Sequence, residues 1–131
     1  MSDREDHRAL RSILLLKWLV TLLVWGLPAL LGPPALFAVL GVPLPDDLTF
    51  VRLFGAVVTA AALLYYYAWR DPGHSRAILH YGVLDNGLVT VTIVVLALVA
   101  GLRSAFLLGS AALTAFFCVA FLALMPRPTA G

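Results

Sequence analysis

Four long apolar stretches separated by short polar or proline-rich breaks organise this chain, at roughly 10–31, 50–69, 77–102 and 104–125. Each supplies the ~20 residues that a bilayer-crossing helix requires. The pattern therefore predicts an all-α, antiparallel transmembrane four-helix bundle that fills 1–131 as a single domain. Between the first two helices lies "GPPALFAVLGVPLPDD", Gly32 to Asp47, in which four prolines forbid a continuous helix while most other residues stay apolar. The connection 32–49 is thus expected to lie in the interface as a short helix, or to fold back onto the bundle. The next break, "RDPGHS" from Arg70 to Ser75, predicts a tight turn with Ser75 capping the helix that follows. A still tighter reversal falls at "GLRS", Gly101 to Ser104.

Composition agrees with the pattern: 62% of the 131 residues are hydrophobic, 12% are charged, and the mean hydropathy is +0.97. Soluble domains are about half apolar and about a quarter charged, so the chain reads as an integral membrane protein. Its first apolar run is expected to be a retained span rather than a cleaved signal peptide: Asp3, Glu5 and Asp6 precede it, Lys17 interrupts it, and no small-residue cleavage site follows. The single cysteine, Cys118, excludes an intramolecular disulfide, a CxxC redox pair and a cysteine-based metal centre. With four spans, Arg4, Arg8, Arg11, Lys17, Arg70, Arg76 and Arg127 share one side and only Arg52 and Arg103 the other. Seven against two places both termini in the cytoplasm. Eight arginines to one lysine also suits a bacterial source, and hence the bacterial cytoplasmic (inner) membrane.

A carboxylate within a span costs about 2.5–3.5 kcal/mol on insertion scales, which makes Asp85 the residue that most needs an explanation. At ~1.5 Å of rise per residue, Lys17 and Asp85 each fall ~10 Å inside the cytoplasmic boundary. Tyr65, Tyr66, Tyr67 and Cys118 reach about the same level. Asn86 adjoins Asp85, and Tyr81 lies one turn before it, where its phenol can donate to the carboxylate. Two readings are open. Lys17 and Tyr81 face Asp85 in a polar layer, or Lys17 snorkels to the headgroups while Asp85 and Asn86 begin a shorter third helix.

Along the second helix, Arg52, Gly55, Thr59, Ala62, Tyr66 and Trp69 recur at steps of three and four, the spacing of one packing seam. That seam would turn Arg52 and Tyr66 inward, with Arg52 either gripping an anionic headgroup or substrate, with Asp46 or Asp47 as its resting partner, or serving as an exposed interfacial anchor. Ser110, Thr114 and Cys118 form a similar stripe on the fourth helix. His7, His74 and His80 have no metal-ligand spacing. No phosphate loop, nucleophile elbow or basic array for nucleic acid is present. The candidate binding residues are Lys17, Arg52, Tyr66, Tyr81, Asp85 and Asn86, with no catalytic or metal set.

The stretch "VRLFGAVVTAAALLYYYAWRDPGHSRAILHYGVLDNGL", Val51 to Leu88, preceded by "LGVPLP", resembles the DoxX-like superfamily of small four-helix bacterial membrane proteins. The similarity is to members of no assigned activity whose second helix carries R-x-x-G and ends in an aromatic and charged turn. The resemblance implies a place in membrane assemblies, and a quinone as cofactor only in so far as some members serve quinone-linked redox complexes. Where relatives often carry a basic residue in the third helix, this chain has Asp85 and Asn86, so no site is carried over.

Three function classes follow as expectations. The first is a non-enzymatic membrane protein binding a lipid-like or quinone-like molecule, a partner membrane subunit or a second copy of itself through inward polar faces. The second is a small dimeric proton-coupled transporter working through Asp85. The third is an enzyme on a membrane-embedded substrate, with Asp85 as acid or base and Tyr66 or Tyr81 assisting.

Overall fold

The computed structural model describes residues 3–126, which contain no β-strand. Helix α1 (Asp3–Val20) runs through a π-helical stretch, Thr21–Gly26, into α2 (Leu27–Leu31), and the three form the first span. The short α3 (Pro34–Val39) occupies the proline-rich connection, and α4 (Thr49–Arg70), α5 (Arg76–Val99) and α6 (Ala105–Ala123) complete an all-α four-helix bundle. Four helices are long and apolar enough to cross a membrane. Large apolar side chains such as Leu23, Leu63, Leu88, Leu98 and Val119 point outward, as befits a surface solvated by lipid. The chain is a four-helix membrane protein.

The helix ends show where hydropathy stops being a guide. Helix α1 begins at Asp3, seven residues before the apolar run, because an exposed polar turn continues a helix as well as a buried one and acidic side chains favour its positive end. Helix α5 stops at Val99 rather than 102, where Gly101 takes φ +69° and reverses the chain. Ser104 then caps α6, its Oγ accepting from the Leu107 N–H at 3.2 Å. At the other turn Pro72–His74 form a 3₁₀ segment, and Ser75 occupies the N-cap position without capping: its hydroxyl donates back to the Asp71 carbonyl. The two arginines of the sparsely charged side close helix C-termini. Arg52 donates to the carbonyls of Ala29 (3.0 Å) and Gly32 (2.8 Å), and Arg103 donates to that of Ala97 (3.0 Å). Both satisfy carbonyls that a helix end leaves without donors and sit at its negative pole.

Packing divides the bundle into two pairs. Helix α5 lies along α6, α4 lies along the first span, and α4 and α5 touch only sparingly. Lipid gives helices no hydrophobic reason to associate, so close approach through small residues decides which ones pack. At Gly55 a Cβ would stand 2.6 Å from backbone atoms of Ala29 and Leu30, and at Gly26 one would stand 2.8 Å from Thr59 Oγ1. The predicted seam is this face: Gly55, Thr59 and Tyr66 meet Ala29, Gly26 and Trp18 in turn. The π stretch lies just before Pro28, which has no N–H for the Val24 carbonyl and crowds it with its ring. A widened turn absorbs that mismatch.

The N-terminal half of the bundle is filled. Leu10, Leu14, Tyr65, Ala68, Leu79, Phe117 and Phe121 form one buried cluster, and Gly82 leaves room for the rings of Tyr65 and Phe121. The other half is looser, and there α3 folds Phe37 back onto the bundle. Gly55→Val forces Cβ and two methyls into the α2 backbone, so we expect a loss of about 1–3 kcal/mol. Thermal unfolding of the detergent-solubilised protein should show a clearly lowered Tm.

Candidate functional site

Where the filled half meets the looser one, α1 projects Lys17 inward. It is 2% exposed, so it does not snorkel, and its Nζ donates to Asn86 Oδ1 at 2.7 Å. Three rings surround the same ammonium: Phe117 at 5.0 Å, Tyr65 at 5.1 Å and Trp25 at 5.2 Å from nitrogen to centroid. Each is within cation–π range. Asn86 is fully buried with both ends of its amide engaged, since Nδ2 donates to the Gly82 carbonyl at 2.6 Å. Trp25 is held in turn by donation from Nε1 to Ser110 Oγ at 3.0 Å.

Lys17 thus meets Asn86, and no ion pair with Asp85 forms. Asp85 accepts instead from the Tyr65 hydroxyl at 3.2 Å. Tyr81, one turn before it, packs its ring against that of Tyr65 at 6.3 Å between centroids and stays partly exposed. The predicted inward tyrosine was Tyr66, which packs on Trp18 (5.0 Å) and Trp69 (5.9 Å) away from Asp85. The seam that carries Tyr66 faces the first span, and Tyr65, ~100° further round the helix, reaches the bundle centre. Arg52 is committed to helix carbonyls, and Asp47 is taken up by the Thr49 N–H (2.8 Å) and hydroxyl (2.7 Å), bonds that hold its carboxyl below the usual range. The structure therefore gathers Lys17, Asn86, Asp85 and Tyr81 from the predicted set and leaves Arg52 and Tyr66 apart. Sequence reasoning missed Tyr65, Trp25 and Phe117. For Tyr65 the signal lay in the aromatic triplet at the depth of Lys17; for Trp25 and Phe117 there was none, because the lipid face uses the same residue types.

Above this layer a cavity of about 510 Å³ runs toward α3, within the ~300–1,000 Å³ of small-molecule sites. Its floor includes Lys17, Thr21 and Asp85; its walls are almost wholly apolar, and Phe37, Leu40 and Leu44 line the far end. Phe54 and Val57 of α4 and Tyr81 and Val89 of α5 line it and are also exposed, so the cavity opens sideways where α4 and α5 diverge. Ser110 and Thr114 add hydroxyls from α6, and Thr114 exchanges a 2.7 Å hydrogen bond with Thr90. Among the described residues no His, Cys, Asp and Glu cluster could hold a metal. Comparison of the chain with family models, with curated proteins and with solved structures gives no match.

The arrangement can hold an elongated apolar body with a hydrogen-bonding group at one end. Because the Lys17 ammonium has one hydrogen-bond partner among the described residues, Asn86→Leu should strip a charge-assisted bond and cost about 1–3 kcal/mol. Adding Lys17→Met to it should recover stability relative to the sum of the single effects, measured as a double-mutant cycle on reversible unfolding in detergent.

Proposed function

We propose that this protein binds an amphipathic, lipid-like or quinone-like molecule taken laterally from the bilayer. The observation that carries the reading is one apolar cavity whose side opening faces lipid and whose floor carries Lys17 and Asp85. A site for a water-soluble ligand would be expected to open to an aqueous face rather than between two lipid-facing helices. Pockets of this kind combine apolar walls with a few placed polar groups that fix orientation. No arrangement of nucleophile and base marks it as an enzyme, and the reading is of a binding protein. The DoxX-like resemblance of Val51–Leu88 supports a place in a membrane assembly, in which a partner subunit or second copy would take up the bound molecule. The excess of arginine on one side supports insertion in a bacterial inner membrane with both termini cytoplasmic.

Native mass spectrometry of the protein released gently from its own membrane tests the binding reading. We expect a retained small molecule on the parent that Asp85→Ala loses. A parent that carries no small molecule and retains only a partner chain, with the variant alike, overturns the reading in favour of an assembly subunit. Orientation is checked by cysteine labelling in a Cys118→Ala background. A membrane-impermeant maleimide applied to intact cells should label Pro45→Cys and spare Gly73→Cys.

A further inference from the structure

The floor of the cavity contains a hydroxyl that nothing holds. Thr21 is 3% exposed and lines the cavity, and its Oγ1 is buried without a hydrogen-bond partner. Threonines within spans ordinarily donate to the carbonyl four residues back. Thr59 does so to Gly55 at 2.7 Å; Thr90 and Thr114, whose hydroxyls lie 2.7 Å apart, stand 2.8 and 2.9 Å from the carbonyls of Asn86 and Ser110, so that one donates to its carbonyl and the other to its neighbour's hydroxyl. Thr21 is the first residue of the π stretch, where the first span leaves α-helical register, and it differs from these three in being buried without a partner. π-Helical turns recur at functional sites, and this one turns Thr21, Val24 and Trp25 to the cavity together. An orphaned buried hydroxyl is costly unless something bonds to it.

The charges of the floor narrow what that something is. Among the described residues, Lys17 and Asp85 are the only charged ones lining the cavity, one of each sign, and Arg52 is spent on the carbonyls of Ala29 and Gly32. The site as a whole is neutral. An anionic head brought here would meet one cation already hydrogen-bonded to Asn86 and offset by a nearby carboxylate; a cationic head would meet the reverse. Either leaves a net charge at low dielectric, which is strongly unfavourable. An uncharged head with both hydroxyl and carbonyl oxygens leaves the balance intact. It can accept from Lys17 or Thr21 and donate to Asp85.

Resting on the reading of this cavity as a lateral lipid site, we infer that its occupant is a single-chain, uncharged amphiphile whose hydroxyl or carbonyl head is bonded by Thr21. On the first span the wall extends from Lys17 to Ala29, or ~18 Å at 1.5 Å per residue. This is the shape of one extended chain. The tail lies along Val24, Phe54, Val57 and Ile93 toward Phe37, and the head rests on the polar floor.

Three probes of equal chain length decide it: 1-monopalmitoylglycerol, hexadecyl sulfate and hexadecylamine, each titrated into the full-length protein in a nonionic detergent and read by native mass spectrometry. The parent should retain the glycerol ester at least tenfold better than either charged probe. Thr21→Val, which keeps shape and removes the hydroxyl, should weaken the ester about fivefold, the worth of one hydrogen bond. Asp85→Asn leaves Lys17 unbalanced and should raise retention of the sulfate, and Lys17→Met should do the same for the amine. Asp85→Asn keeps the test usable if Lys17→Met fails to fold. Preference of the parent for a charged probe, or a Thr21→Val variant that binds the ester like the parent, overturns the inference while leaving the lipid site standing. Failure of all three probes to bind the folded parent overturns the site itself.

Discussion

A lysine ammonium enclosed among the helices of a membrane bundle sets the terms for everything packed around it. Ionised groups within spans cost from about 2.5 kcal/mol upward. One hydrogen bond to a charged group contributes about 1.5–3 kcal/mol. The Asn86 carbonyl oxygen therefore works alongside the faces of Trp25, Tyr65 and Phe117 rather than alone. Those contacts come from the first span, α4, α5 and α6, so the arrangement ties all four spans at one level. It also explains why Asn86 is fully buried with both amide ends used, and why Trp25 is fastened to Ser110. A charge held so thoroughly demands order from its neighbours, and the tight cluster from Leu10 to Phe121 lies directly on its N-terminal side.

On the other side of that layer the same helices part. Proline at 28 and the π stretch before it interrupt the α-helical register of the first span, while Gly26 and Gly55 hold that span against α4. With α4 drawn toward the first span and α5 toward α6, a gap remains between α4 and α5. The gap is the mouth of the cavity. Fold and site thus have one origin: close approach on one face of α4 leaves its opposite side free of protein and open to lipid. The arginines of that end contribute to architecture, Arg52 and Arg103 closing helix termini.

Much of this was legible in the residues. Span number and class followed from four apolar runs, and the common depth of Lys17 and residues 85–86 followed from helical rise. The small-residue seam of α4 was also readable, including its membership of Gly55, Thr59 and Tyr66. The partner of that seam was not readable. Assigning it to the bundle centre turned Tyr66 toward Asp85, whereas it faces Trp18 on the first span and Tyr65 makes the bond. Arg52 was likewise read as free to bind a ligand because the carbonyls of Ala29 and Gly32 that take it up lie twenty or more positions away.

The division has a physical cause. Transfer into lipid is close to a sum over residues, so span length and relative depth can be counted along the chain without knowing any neighbour. Contact between helices is a property of pairs. It depends on rotation and crossing geometry set jointly by Gly55 with Ala29, Gly26 with Thr59 and Gly82 with Tyr65 and Phe121. Apolar composition is nearly the same on a lipid face and a protein face, so no pattern along one helix says which ring will meet an ammonium on another. The chain alone therefore set Lys17 and Asp85 at about one depth and left open whether they form one polar layer. Folding in three dimensions decided that Lys17 turns to Asn86 inside an aromatic cage, that Tyr65 takes Asp85, and that a cavity opens beside them.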